Sequence, residues 1–343
     1  MMVARAAVPQ APDTVAESVL TVEDLRVSYA SRLGRVLAVD GLSFHVASGE
    51  VLGLVGESGS GKSTAAMAIL RLLRPPGRIE LGRAVVEGVD LLGLDDSALR
   101  RIRWRKVALI PQGSMNSLNP VMRAGDQIAD AIAAHEDRTD RVALRERVDA
   151  LLDSVRLGRD VAGRYPHELS GGMRQRVCIA MATALDPRLL IADEPTSALD
   201  VVVQRAVAET LLDATHRLGA SLILIGHDLA LQAQMVDRVA VMRRGRLVEI
   251  GRVRAMFQQP VHAYTRALLA AVPSIRDPDG ARRWRWPVEP GDHRARCFLG
   301  SSCVQDGATP AEALPLMHDI GEGHFVACRF GERGDETTLV DRS

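Results

Sequence analysis

Between the apolar run Val51-Leu52-Gly53-Leu54-Val55 and the helix-favouring run Ala65-Ala66-Met67-Ala68-Ile69-Leu70 lies Gly56-Glu57-Ser58-Gly59-Ser60-Gly61-Lys62-Ser63-Thr64. This is a P-loop pattern in its confirming context, strand before and helix after, and it commits the chain to an α/β fold with a phosphate site at the strand's end. The glycines let the backbone curl so that successive N–H groups face phosphate oxygens, and the helix start adds partial positive charge. Lys62 then offers a compact ammonium to the β- and γ-phosphates, and the Ser63 hydroxyl can hold Mg²⁺. Lys62 and Lys106 are the two lysines among 43 basic residues, so a lysine at this position is not a by-product of composition. The plain alternative is a Gly-Ser-rich surface turn, which the flanking strand and helix argue against.

Leu189-Leu190-Ile191-Ala192 is a short, fully apolar run of the kind that forms a buried parallel strand, and it ends in Asp193-Glu194-Pro195. Its two acids are therefore expected at the carboxyl edge of the sheet, beside the phosphate loop, where open α/β folds bind ligands. Asp193 is expected to bind Mg²⁺ through its water shell, and Glu194 to polarise an attacking water as general base. The alternative is that both acids simply begin a solvated loop.

Upstream of that strand stands Leu169-Ser170-Gly171-Gly172-Met173-Arg174-Gln175-Arg176. With the phosphate loop and the acidic pair, in this order, it resembles the ATP-binding subunit of an ABC transporter. The resemblance implies a P-loop NTPase (RecA-like) core with an antiparallel β portion, an inserted helical subdomain and a small C-terminal accessory region. It also extends the site residue by residue. Gln112, in Leu109-Ile110-Pro111-Gln112, matches the glutamine that touches the metal and lines the groove of a membrane partner. His227, in Leu224-Ile225-Gly226-His227-Asp228, matches the switch histidine at the γ-phosphate. Asp200 matches the acid of the Ser197-Ala198-Leu199-Asp200 loop that crosses a subunit interface, and Tyr29 sits where the family stacks an aromatic on adenine. Each alone has an ordinary alternative: a core glutamine or histidine, or a strand tyrosine filling the interior.

Ser170, Gly171 and Gly172 precede a helix read over 173–181, so they make a second anion-ready helix start. One chain needs only one phosphate cradle. The resemblance resolves this by pairing two ATPase chains head to tail, each capping the ATP of the other, so that ATP joins them and hydrolysis parts them.

His262-Ala263-Tyr264-Thr265-Arg266-Ala267-Leu268-Leu269-Ala270-Ala271-Val272-Pro273 looks like the C-terminal hallmark of importers of oligopeptides and dipeptides, a group that also serves nickel. Ser117-Leu118-Asn119-Pro120-Val121-Met122 fits the same group. Cys297, Cys303 and Cys328 fall where such tails carry four cysteines around a [4Fe-4S] cluster, but Pro310 stands where the fourth is expected. Three states follow: an iron–sulfur cluster or a zinc site, with His293 or His324 completing the three-cysteine set, or free thiols. Cys178 belongs elsewhere, as a small core residue.

At 343 residues the chain has the length of about two domains. The resemblance divides it into a disordered tail over 1–17, an ATPase domain over 18–255 with its helical subdomain near 113–176, and the accessory region over 256–343. In the helical part, Leu144, Val148, Leu151, Leu152 and Val155 recur at helical spacing as core, and Val203, Val207, Leu211 and Leu218 mark a helix stopped near Gly219. Arg243-Arg244-Gly245-Arg246 reads as a turn between strands with solvated arginines. Acidic and basic residues balance at 43 each, which gives no electrostatic footprint for nucleic acid. No apolar run nears the roughly 18 residues of a membrane span, and 1–16 lacks a signal-peptide core. Four cysteines suit a reducing compartment. The resemblance thus implies an ATP- and Mg²⁺-using subunit that energises solute import, peptides foremost. Its expected place is the cytoplasmic face of the membrane, beneath two permease subunits, paired with a second ATP-binding subunit and served by an external solute-binding protein. The competing reading is a soluble ABC ATPase acting on nucleic acid or the ribosome.

Overall fold

The computed structural model describes residues 18–32, 34–136, 140–271 and 316–328. The proposed tail over 1–17, Cys297 and Cys303 lie outside them. Strands β1 (Ser18–Ser31), β2 (Gly34–Ala47) and β3 (Val51–Val55) come first, then helix α1 (Lys62–Ile69). Next are β4 (Gly77–Val86), β5 (Val89–Asp90), α2 (Asp96–Ile102) and β6 (Val107–Ile110). A helical stretch follows, with α3 (Ala124–Ala133), α4 (Arg141–Ser154) and α5 (Gly171–Thr183). The chain then returns to β7 (Leu189–Asp193), α6 (Val201–Leu218), β8 (Ser221–Ile225), α7 (Leu229–Gln232), β9 (Arg238–Arg243) and β10 (Arg246–Arg252). Helices α8 (Val253–Gln258) and α9 (Ala263–Ala270) and the hairpin β11 (Leu316–Asp319) and β12 (Phe325–Cys328) end the described chain.

Strands β9, β3, β8, β7 and β6 lie side by side and parallel, and β10, β12 and β11 extend this sheet antiparallel beyond β9. Every residue of β3, β7 and β8 is buried, because the sheet is covered on both faces. Successive residues enter opposite cores. Leu190, Ala192, Leu222 and Leu224 pack with the helical stretch, while Leu189, Ile191, Ile223 and Ile225 pack with α1 and the strands of the second sheet. That second sheet is antiparallel, in the order β2-β1-β4-β5. Mixed α/β architecture with an antiparallel portion and a helical stretch is as the resemblance implies.

Capping explains where the helices begin. Asp200 Oδ1 accepts from Val203 N (3.0 Å) to start α6, and Gly219, at φ 59°, ends it where the sequence placed the stop. Asp140 caps α4, whose Val148 and Leu152 are buried together with Val155, while Leu144 and Leu151 pack at the edge of the same core. Cys178 is buried, its thiol donates to Ser114 O, and burial pushes its pKa up to about 12, in keeping with a core role.

The arginine turn differs from its solvated reading. Arg243 and Arg246 pair across it in the β9–β10 hairpin, whose two central residues have positive φ. Of its arginines only Arg244 is exposed: Arg246 binds Asp40 Oδ2 through Nε (2.9 Å) and Nη2 (2.6 Å), and Arg243 lies over the Tyr264 ring. Its backbone also joins both sheets to the phosphate loop, since Gly245 N donates to Ser60 O (2.9 Å) and Asp40 N donates to Gly245 O (2.9 Å).

Candidate nucleotide site

The phosphate loop leaves β3 at Gly56 and enters α1 at Lys62. Gly56, Gly59 and Gly61 have φ of 150°, 79° and 102°. A Cβ at Gly56 would lie 2.2 Å from Met242 O, and one at Gly61 2.3 Å from Ala38 O, so the backbones of β9 and β2 press on the loop and exclude side chains there. Lys62 Nζ folds back across the loop, donating to Gly56 O (2.8 Å), Glu57 O (2.9 Å) and Ser60 Oγ (3.2 Å). Burial lowers its pKa, with Glu194, Asp193 and Glu57 opposing. Glu57, Ser58 and Gly59 form the exposed rim, Ser60 is buried, and Ser63 and Thr64 occupy the first turn of α1. A curled loop with a buried ammonium at its centre and a helix start at its floor fits a polyphosphate.

The acidic pair arrives at the end of β7, two strands from β3 with β8 between them, at the sheet edge that the apolar run predicts. Ser63 Oγ donates to Asp193 Oδ1 (3.0 Å), which puts two hard oxygen donors side by side, a set that fits Mg²⁺. Burial pushes the Asp193 pKa up; the Ser63 bond opposes this and the Glu194 charge adds to it. Glu194 follows at φ 46°, a left-handed conformation uncommon outside glycine, and its N–H is tied to Ile225 O (2.9 Å). Gln112 Nε2 donates to Glu194 Oε2 (2.8 Å), and His227 Nδ1 lies 3.4 Å from Glu194 Oε1. Residues following β6, β7 and β8 therefore converge on one carboxylate, with His227 exposed beside it.

The other candidates stand apart from this cluster. Tyr29 lies in β1 opposite Val36 and Gly77, partly buried against the core of the antiparallel sheet. Asp200 is the cap of α6, and Ser170 is the cap of α5, its Oγ accepting from Met173 N (3.3 Å). Gly171 and Gly172 have a packing role the sequence did not reveal: a Cβ at Gly172 would sit 2.6 Å from Val203 Cγ1, and one at Gly171 3.0 Å from Leu199 Cδ2. Among the described residues no group of three or more His, Cys, Asp or Glu side chains is arranged to hold a metal ion. Cys328 closes β12, beyond His324, whose Nε2 is 2.8 Å from the buried Glu249 Oε1.

A residue not singled out from the sequence reaches the loop from the C-terminal side. Tyr264, in α9, accepts a hydrogen bond at its phenol oxygen from Glu57 N (3.0 Å). Its motif was visible in the sequence only as a subfamily mark.

Comparison with known proteins agrees with this geometry. Residues 39–197 match the ABC transporter family, and 248–309 match the oligopeptide/dipeptide transporter C-terminal region. The chain is 42% identical over 314 residues to the oligopeptide transport ATP-binding protein OppD of Bacillus subtilis, covering 90% of this chain and 87% of that one. Against OppD of Escherichia coli it is 43% identical over 320 residues, covering 91% and 93%. Against the dipeptide transport ATP-binding protein DppD of Haemophilus influenzae it is 42% identical over 309 residues, covering 89% and 93%. Among solved structures, a dimeric post-hydrolysis ATP-binding cassette bound to ADP and Pi superposes with a TM-score of 0.61 at 25% identity, covering 68% of this chain and 99% of that one. Cassette, acidic cluster and C-terminal region thus converge, and the chain belongs to the ATP-binding subunits of ABC transporters, in their oligopeptide/dipeptide family.

Proposed function

We propose that this ATPase energises the import of peptides, with residues 56–64 holding the phosphates of ATP and Glu194 acting as general base. The observation that carries the reading is the convergence of Gln112 and His227 on Glu194, next to the Ser63–Asp193 pair. Lys62 binds the β- and γ-phosphates once they displace its contacts to the loop carbonyls. Ser63, Asp193 and Gln112 hold Mg²⁺, which when bound neutralises phosphate charge and orients the phosphate oxygens. Glu194 takes a proton from the water that attacks the γ-phosphate, and His227 contacts that phosphate. Tyr29 stacks on adenine.

Ser170, Gly171 and Gly172 close over the ATP of a second ATP-binding subunit, and Asp200 lies along that contact. The pair docks beneath two permease subunits on the cytoplasmic face of the membrane, and an external solute-binding protein delivers the peptide. No described helix is long and apolar enough to cross a membrane, so this placement depends on the permeases. The match over 248–309 favours transport over action on nucleic acid or the ribosome. A [4Fe-4S] cluster on Cys297, Cys303 and Cys328 would need a fourth ligand besides the engaged His324 Nε2, and iron and sulfide analysis of anaerobically purified protein measures it directly.

The test uses the assembled transporter in vesicles, supplied with a labelled oligopeptide and MgATP. Glu194→Gln should keep nucleotide binding, lower hydrolysis at least about 10²-fold and stop uptake with it. Undiminished hydrolysis would remove Glu194 from its role. Hydrolysis by the unaltered complex without peptide uptake would overturn the solute class.

A further inference from the structure

The phosphate loop has supports on three sides, and one of them comes from the C-terminal region. Met242 O backs Gly56, the β9–β10 turn holds Ser60 O through Gly245 N, and the Tyr264 hydroxyl receives the Glu57 amide. The Glu57 N–H belongs to the loop's first exposed residue, just after the constrained Gly56, where the chain turns away from β3. Tyr264 is itself held firmly. It is 2% exposed, and the Arg243 guanidinium stands 4.8 Å from its ring centroid. Burial raises the phenol's pKa, so the hydroxyl stays neutral and in place to accept the Glu57 amide.

The helix carrying Tyr264 is anchored from below. Glu249, fully buried in β10, accepts from Val261 N (2.8 Å) and His262 N (3.0 Å) at the start of α9, and from His324 of the terminal hairpin. A continuous set of hydrogen bonds therefore runs from the β11–β12 hairpin through Glu249 and α9 to the phosphate loop.

We propose that Tyr264 is a positioning residue for ATP: its hydroxyl fixes the Glu57 amide and so holds residues 56–59 in the shape that receives the phosphates. The C-terminal region thereby sets the nucleotide affinity of the cassette. This role presupposes that residues 56–64 bind ATP, as proposed above.

The test is Tyr264→Phe in the full-length chain within its transporter complex, with the KM for MgATP, kcat and the unfolding temperature all measured. The variant keeps the ring and its arginine contact and removes only the hydroxyl. KM should rise about two- to tenfold, the range expected for one net hydrogen bond, while kcat and the unfolding temperature stay near the unaltered values. Arg266→Ala serves as the second variant, because it removes the bond from Arg266 of α9 to Val261 O just before that helix without touching Glu57, and it should leave KM unchanged. An unchanged KM in Tyr264→Phe, or an equal rise in both variants, overturns the proposal. Lys62→Ala separates the two levels. If it too leaves MgATP affinity intact, the ATP-site assignment itself fails; if it abolishes affinity while Tyr264→Phe does not change it, only the positioning role fails.

Discussion

Glu194 shows how much a single residue can carry. Its left-handed backbone, before a proline and tied to Ile225 O, fixes the direction of a side chain that both Gln112 and His227 meet. Its identity as the acid after a buried strand was legible, because strand, loop and acid are consecutive in sequence. The glycines of the helix start at Ser170 were only half legible. They read as an anion site, yet Gly172 is also required where α5 meets α6. Gly172→Ala should therefore lower stability by about 1–3 kcal/mol through overpacking against Val203, and Val203→Ala should restore part of the loss. Chemical denaturation of the two single variants and the double variant checks this, and a Gly172→Ala chain of unaltered stability would mean that the helices are not so close.

At the scale of elements, the parallel strands were readable because burial on both faces makes them short, wholly apolar runs. The helices were readable from their spacing and caps. What could not be read is what distant polar residues do to one another. Arg246 finds Asp40, and Glu249 finds both His324 and the start of α9, across separations that no periodicity encodes. From the sequence alone the arginine turn accordingly reads as a solvated edge. The same blindness hid a pH-sensitive cap. His262 Nδ1 accepts from Tyr264 N (3.1 Å) at the start of α9, and burial lowers its pKa to about 4; Arg243 and Arg266 add to this, and Glu249 opposes it. The folded chain holds this imidazole neutral, whereas the unfolded chain protonates it below its ordinary 6.5. Stability is thus lost as pH falls from about 6.5 towards 4, by on the order of 3 kcal/mol. Unfolding followed between pH 7.5 and 5 should show this slope, and His262→Asn, a cap that does not titrate, should flatten it. An equal slope in both would assign the effect elsewhere.

For the whole molecule, the cassette presents two anion-ready sites that its own contacts do not bring together: the phosphate loop with the Glu194 cluster, and the cap of α5. Both would be used in the head-to-tail pairing proposed above. With MgATP, Glu194→Gln complexes should hold their two ATPase subunits closed, and small-angle scattering should record a compaction that ADP does not produce. Scattering profiles identical in the two nucleotides would count against closure. Both oxygens of the Glu194 carboxylate are already occupied, one by Gln112 and the other within reach of His227. A carboxylate oxygen still accepts a further hydrogen bond, so an attacking water has to fit beside these neighbours, and Gln112 leads from β6 into the helical stretch. A displacement of the helical stretch would thus be handed on to this carboxylate through a single amide group.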